Sequence, residues 1–303
     1  MDSGALRPPF RFGKSLHGSS IGAMIPALLT EALMTATDVA FAGSIPALYD
    51  RYLVPLLFQP YAEDLAERLR DIRSGRVLET AAGTGVVTRV LAETLPPNVE
   101  IVATDLNQAM LDLAATRLRA PNVRWQQADA QTLPFDAGSF DAVVCQFGAM
   151  FFPDKEAAYR EALRLLKPRG RFVFSVWGPL EANPVSQVVS DAVASQFADD
   201  PPRFYARVPF GYADPDRILG EVERAGFEQV DIDEVEKVTR APSPREPAIG
   251  LCQGAPMRGE IEARAPGRLD EITDKVAQAL AARFGHGPVE NCMRAFVITA
   301  WRT

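Results

Sequence analysis

The stretch Val77-Leu78-Glu79-Thr80-Ala81-Ala82-Gly83-Thr84-Gly85 constrains the fold more than any other part of the chain. Arg76, Val77 and Leu78 read as the end of a short buried strand, and Val86, Val87, Val90 and Leu91 recur downstream at helical spacing. A strand, a tight glycine turn and a helix therefore follow one another. Glycine reaches positive φ and puts no Cβ in a ligand's way, and a helix N-terminus presents N–H groups that lack intrahelical partners. The turn accommodates a polar ligand at close range, with the Glu79 carboxylate at its entrance.

The turn alone leaves the ligand open. Dinucleotide-binding turns take the form G-x-G-x-x-G with small residues at all three marked places, and here the third place is Thr88. The next apolar run, Val99 to Ala103, ends at Thr104-Asp105, and Asp105 lies 20 residues beyond Gly85. An acid at that distance, on the tip of a second parallel strand, is placed to accept hydrogen bonds from ribose hydroxyls. A third strand, Val123 to Gln127, ends at Ala128-Asp129-Ala130. The fourth, Phe140 to Phe147, brings Gln146-Phe147-Gly148 to the same crevice. After it come a helix from Glu156 to Leu166, the turn Lys167-Pro168-Arg169-Gly170 and a fifth strand, Arg171 to Trp177.

The pattern Glu79-x-Ala81-x-Gly83-x-Gly85 resembles the first motif of class I S-adenosylmethionine-dependent methyltransferases, with Ala81 where that family has its first glycine. Asp129-Ala130 resembles the family's adenine-binding motif. The phrase "LLKPRGRFVFSVW" is similar to the turn and fifth strand of the small-molecule enzymes of ubiquinone and menaquinone biosynthesis, with Arg169 replacing a glycine. The resemblance spans Arg76 to Trp177 and implies S-adenosylmethionine as cofactor, held by Glu79, Ala81, Gly83, Thr84, Gly85, Asp105, Leu106, Met110, Asp129, Ala130 and Gln146. It implies a Rossmann-like α/β fold: a seven-stranded, mostly parallel sheet, antiparallel at the last strand, with helices on both faces. The cofactor then lies beyond the carboxyl ends of strands one to four.

Composition narrows the acceptor. With 303 residues, of which 47% are hydrophobic, the chain has ample material for a packed core. A net charge of −7 and the absence of any Lys/Arg-rich run offer no footprint for nucleic acid. A small molecule is the expected partner; oligomeric state is not readable. Cys145, Cys252 and Cys292 are odd in number and widely spaced, which suits reduced thiols and not a disulfide framework or a metal site.

Residues 1–44 are the least regular and are expected to form a leader or flexible arm. Arg7, Arg11 and Lys14 precede the apolar stretch Ile21 to Leu29, and Ala40-Phe41-Ala42 has the form of a signal-peptidase site, but Pro26 and Glu31 interrupt the run, which is too short to span a bilayer. A cytoplasmic enzyme is expected, since the cytosol is where the cofactor is made; a start at Met34 is an alternative. Residues 45–303 then form a single methyltransferase domain with cap insertions at about 178–211 and 241–290. Leading helices from Ile45 to Leu69 cover the crevice with Tyr49, Asp50, Arg51 and Tyr52. A helix from Val185 to Phe197 belongs to the first insertion. Asp214-Pro215-Asp216 opens a helix that stops at Gly226 before strand six, Gln229 to Thr239. The second insertion carries a helix from Leu269 to Phe284 and the segment Gly250 to Met257, a candidate substrate wall, before strand seven, Met293 to Trp301.

A sulfonium methyl is already electrophilic, so the enzyme has mainly to place a nucleophilic O, N or C atom in line with it. Where a base helps, histidine is the commonest choice. The chain has two: His17 in the arm and His286 in a Gly-His-Gly turn. His286 and Tyr52 are the catalytic candidates, with proximity alone as the default. The apolar cluster Phe147, Met150, Phe151 and Phe152 suits an aromatic or isoprenoid-like acceptor, or simply the core. Three alternatives stand beside this reading: a non-catalytic module on the same fold, a membrane-attached enzyme, and a nicotinamide-dependent reductase. For the last, none of the six tyrosines is followed four places on by lysine.

Overall fold

The computed structural model describes residues 36–39 and 41–303. His17, Met34, the Ile21 to Leu29 run, the basic residues before it and Ala40 of the expected cleavage site lie outside the described residues. A single 3-10 turn, Ala36–Val39, leads to α1 (Ile45–Leu48). This helix runs through a wide-turned stretch, Tyr49–Phe58, into α2 (Gln59–Glu67). Pro55 lies inside the wide turn and has no N–H to give; Gln59 N–H closes the stretch on the carbonyl of Val54, five residues back. Such widened turns recur at functional sites, and this one presents Tyr49, Leu53, Leu57 and Phe58 to a cavity.

The sheet units follow: β1 (Gly75–Glu79), α3 (Val86–Thr94), β2 (Val99–Asp105), α4 (Gln108–Arg117), β3 (Val123–Gln127), β4 (Phe140–Gln146), α5 (Lys155–Leu165) and β5 (Leu166–Trp177). The first cap contributes α6 (Pro184–Ala194) and the four-residue α7 (Phe204–Arg207). Then come α8 (Pro215–Arg224) and β6 (Gln229–Ala241), the second cap with α9 (Arg245–Gln253), α10 (Met257–Arg264) and α11 (Leu269–Phe284), and finally β7 (Val289–Trp301). Asp214 caps α8 by accepting from the N–H groups of Asp216 and Arg217.

Strand order is β3-β2-β1-β4-β5-β7-β6. β7 runs antiparallel to both β5 and β6, and the other pairs are parallel. Order reverses between β1 and β4, which opens a crevice outside their carboxyl ends. Buried apolar side chains of β1, β2, β4 and β5 form the core with Tyr61, Leu65 and Leu69 of the leading helices. β6 and β7 pair over thirteen residues each, Gln229 with Trp301 through Ala241 with Val289, so the second cap hangs from the far end of a long hairpin.

Two local details depart from sequence expectation. α5 ends at Leu165, and the whole Lys167-Pro168-Arg169-Gly170 segment is already part of β5. Register slips between Phe140 and Ala142 to accommodate it, Arg169 taking φ +65° and donating its N–H to Arg302 O. Strands six and seven are longer than their apolar patterns: exposed Arg240 pairs with exposed Glu290, and buried Ala241 with buried Val289, so the ladder carries on through residues of both kinds.

Candidate functional site

The loop after β1 is held from three sides. Thr80 N–H donates to Val144 O of β4 and Ala82 N–H to Thr104 O of β2, at 2.9 Å each. Gly83 N–H donates to Asp105 Oδ2 at 2.8 Å, while Oδ1 of the same carboxylate accepts from Asn107 N–H. Ala81, Gly83 and Gly85 all have positive φ, +53°, +56° and +80°. Ala81 thus occupies a left-handed conformation that costs an L-residue about 1–2 kcal/mol, and the crowded approach of Gly148 keeps it there: a Cβ on Gly148 would stand 2.5 Å from Ala81 Cβ.

The two loop glycines do different work. A Cβ at Gly85 would meet the Trp125 ring at 2.6 Å, so its bareness serves packing between the turn and β3. Gly83 lines a cavity of about 370 Å³ at the carboxyl ends of the strands. Of the eleven residues expected to hold cofactor, Ala81, Gly83, Asp105, Leu106, Met110, Asp129, Ala130 and Gln146 line this cavity. Glu79, Thr84 and Gly85 do not. Glu79 is buried beneath the turn, accepts from Thr88 Oγ1 at 2.5 Å, and has its carboxyl pushed up to about 8 by burial and by the neighbouring Asp105 charge. Its role at this distance is to brace the turn. Burial also raises the Asp105 carboxyl, against the pull of its N–H donors.

Tyr49, one of the leading residues, lines the cavity with its ring stacked on Phe58, centroids 4.9 Å apart, and its hydroxyl would lie 3.9 Å from a Cβ on Gly83. Burial, then the Asp105 charge, raises that hydroxyl far above its usual range. Tyr52, the catalytic candidate, is absent from the lining: it carries Arg51 over its ring and packs toward Gly250 of α9. His286 is exposed in the turn before β7 and does not line the cavity either. Among the described residues, no cluster of His, Cys, Asp and Glu is arranged to hold a metal ion.

The cavity has two unlike halves. Asp105, Asn107, Asp129 and Gln131 line one, with Leu106 left 51% exposed beside them. Asp129 is anchored by Gln131 N–H at 2.8 Å. The other half is built from Phe58, Phe147, Trp177, Phe204, Tyr205, Phe210 and Leu251. Phe147 and Trp177 are stacked at 3.8 Å and 6°. Both cap insertions contribute, Ser186 to Phe210 from the first and Leu251, Ala255 and Pro256 from the second. Sequence reasoning missed Trp177, Phe204, Tyr205 and Phe210; only aromatic content near the insertions marked them.

Among the described residues lining the cavity, the charged groups are Asp105 and Asp129, with no Lys, Arg or His. A cationic cofactor fits such a lining. A diphosphate would face two carboxylates and no cation. The exposed Leu106 offers apolar surface to a flat ring, and a Cβ on Gly83 would stand near Met110 and Tyr49, which also line the cavity.

The methyltransferase-domain family profile matches residues 77–170. The ubiquinone/menaquinone biosynthesis C-methyltransferase UbiE of Ectopseudomonas mendocina is 35% identical over 54% of this chain and 69% of its own length. Among solved structures, phosphoethanolamine N-methyltransferase 2 of Haemonchus contortus, in complex with S-adenosyl-L-methionine, matches 89% of this chain and 60% of that one with TM-score 0.56 at 16% identity. The [4+2]-cyclase SpnF matches 81% of each chain with TM-score 0.53 at 20% identity. A cyclase on the same fold shows that the fold alone does not decide the reaction; the sequence relationship does. The chain belongs to the class I S-adenosylmethionine-dependent methyltransferases, in the group of the ubiquinone/menaquinone-biosynthesis enzymes. It is an enzyme of that cofactor, and the structural and sequence relations favour neither a reductase nor a non-catalytic module.

Proposed function

We propose that the protein transfers a methyl group to a small, mainly apolar acceptor carrying an aromatic or quinol-like ring. One observation carries this reading: six aromatic side chains and Leu251 wall the acceptor half of the cavity, and among the described lining residues the titratable groups other than Asp105 and Asp129 are Tyr49, whose hydroxyl is raised far above its usual range, and Tyr205. The Tyr205 hydroxyl donates to Leu251 O at 2.6 Å and burial raises its ionisation well above the usual value, so it is a poor base. The UbiE relatives, C-methyltransferases of ubiquinone and menaquinone biosynthesis, support an acceptor of this chemistry.

In this reading Ala81, Gly83, Asp105, Leu106, Met110, Asp129 and Ala130 hold the cofactor. Asp105 would accept from its ribose hydroxyls and Asp129 from its adenine amine, with Leu106 as the apolar surface beside them. Bound S-adenosylmethionine supplies an electrophilic methyl. The chain itself excludes water with the cap aromatics, keeps the carboxylates as its charged lining, and presents the acceptor's flat face between Phe147 and the loop. Proximity and orientation supply the rate, and the acceptor reacts in its neutral phenolic or enolic form, the methyl–sulfur bond breaking as the new bond forms and the acceptor's proton leaving to solvent.

Residues 45–303 form the catalytic domain in this reading, with caps at 178–211 and 241–290, and residues 1–44 an arm whose described part is tied down by Asp38. Among the described residues no helix is long and apolar enough to cross a membrane, and a cytosolic site of action is consistent with where the cofactor is made.

The test is transfer of a labelled methyl group to a panel of phenols, quinols and size-matched amines, alongside calorimetry with S-adenosylhomocysteine. Turnover of phenols or quinols is expected. Turnover of charged amines alone would sink the acceptor assignment. In the same assay Asp105→Ala is expected to weaken S-adenosylhomocysteine by about 3 kcal/mol, from two charge-assisted hydrogen bonds; unchanged affinity would remove Asp105 from the ribose.

A further inference from the structure

Gln146 ends β4 at the boundary between the two halves of the cavity. Its Nε2 donates to the carbonyl oxygen of Phe58 at 3.2 Å. A carbonyl can only accept, so the amide nitrogen is committed there and Oε1 is the atom left over. Oε1 is buried and has no hydrogen-bond partner. Among the described residues, three other buried side-chain atoms share that condition, in Thr84, Glu100 and Arg171, and none of those residues lines the cavity. An acceptor atom stripped of water and left unpaired is a cost that native structures rarely keep without a use.

The backbone around Gln146 is held for this orientation. Phe147 has φ +49°, a conformation uncommon for a bulky residue. It is kept there by its N–H donating to Ser175 O at 3.0 Å and by its ring stacking on Trp177. The strained residue sits directly after Gln146, where such strain tends to mark a working site. Phe58, the partner of Nε2, comes from the end of the wide-turned stretch, so the leading helices and β4 jointly set the amide.

We infer that Gln146 positions the methyl acceptor: Oε1 accepts a hydrogen bond from a single O–H or N–H on an otherwise apolar ring, which lies against the Phe147 and Trp177 pair. This rests on the aromatic-acceptor reading above and moves Gln146 from the cofactor set to the acceptor. Selectivity then comes from the unpaired oxygen, because a ring bearing a donor gains a hydrogen bond with Oε1 that a ring without one cannot make.

The experiment is calorimetry of the full chain saturated with S-adenosylhomocysteine, using 1-naphthol and 1-methoxynaphthalene, which differ in one donor. Wild type is expected to prefer 1-naphthol by about tenfold or more. In Gln146→Leu the preference is expected to vanish while S-adenosylhomocysteine affinity stays within about twofold. Equal binding of the two probes by wild type overturns the inference while leaving the aromatic-acceptor reading intact; binding of neither overturns both. Loss of S-adenosylhomocysteine affinity in a folded Gln146→Leu would return the residue to the cofactor and also overturn it. The wild-type comparison stands even if the variant fails to fold.

Discussion

The cofactor half and the acceptor half of the cavity are built by opposite means. Loop 80–85, the Asp105 tip of β2 and the Asp129 turn after β3 are consecutive strand ends, braced by backbone hydrogen bonds and two carboxylates. The acceptor half draws on the wide-turned stretch, the ends of β4 and β5, α7 and α9, residues up to about two hundred apart, and is held by packing. A half that must bind one invariant cofactor uses fixed backbone geometry. A half that selects an acceptor uses side chains on inserted segments, which can change without disturbing the sheet.

The sharpest way to separate the halves is Gly83→Val. A β-branched residue at φ +56°, with its side chain entering the cavity near Met110 and Tyr49, is expected to weaken S-adenosylhomocysteine by roughly two orders of magnitude or more. Naphthol binding without cofactor should be little affected. If both ligands are lost together, the halves are one cooperative unit.

Next in size is Arg207→Gln. The Arg207 guanidinium joins three distant segments over the acceptor half, meeting both oxygens of buried Asp38 at 2.6 Å and Glu260 of α10 at 2.9 Å. Removing it takes the paired guanidinium away from buried Asp38 and from Glu260 and is expected to cost about 2–4 kcal/mol in stability. Acceptor release should quicken while S-adenosylhomocysteine affinity holds. An unchanged melting temperature would deny that these segments are clasped together.

Glu79 tests the brace under the cofactor half through pH. Its folded carboxyl titrates near 8 against an ordinary value of 4.5, so the folded state holds its proton longer than the unfolded chain. That contribution is complete below about 4.5 and is lost as pH rises through about 8. Wild type should therefore lose stability relative to Glu79→Gln between pH 5 and 8, at up to about 1.4 kcal/mol per pH unit. Urea melts at the two pH values read the difference; parallel profiles would mean Glu79 is ionised as in solvent.

The smallest effect expected is a gain. Ala81→Gly relieves a left-handed residue and, after the extra unfolded-state entropy of glycine, should stabilise by about 0.5–1 kcal/mol, raising Tm by roughly 1–4 °C. A loss of stability would show that the Ala81 methyl packs usefully against Gly148.

Ala81 and Arg169 also show how legible the fold was. At both places the chain departs from a family glycine, and at both the backbone keeps the positive φ that glycine would have taken. The neighbours over-determine the turn, so the motif survives without its residue. The helix Leu269–Phe284 matches its expected bounds residue for residue because its apolar period is long and a glycine ends it. Tyr52 and His286 are the counter-examples. Tyr52 and Tyr49 are equivalent in any reading of propensity, but the widened turn rotates Tyr49 into the cavity and leaves Tyr52 against α9. His286 follows a long helix whose distance from the site no spacing rule reports.

The sequence by itself determined the order of the strands' cofactor-bearing tips and the ligand class they serve, because each tip is a local strand-to-turn event with its chemistry in adjacent residues. Only the tertiary structure decided which of these residues reach the cavity, that Gly85 makes room for Trp125 while Gly83 lines the cavity, and that aromatic side chains from distant segments line it with them. Those outcomes depend on contacts between residues far apart in the chain, and their geometry is fixed by packing, which no local pattern encodes.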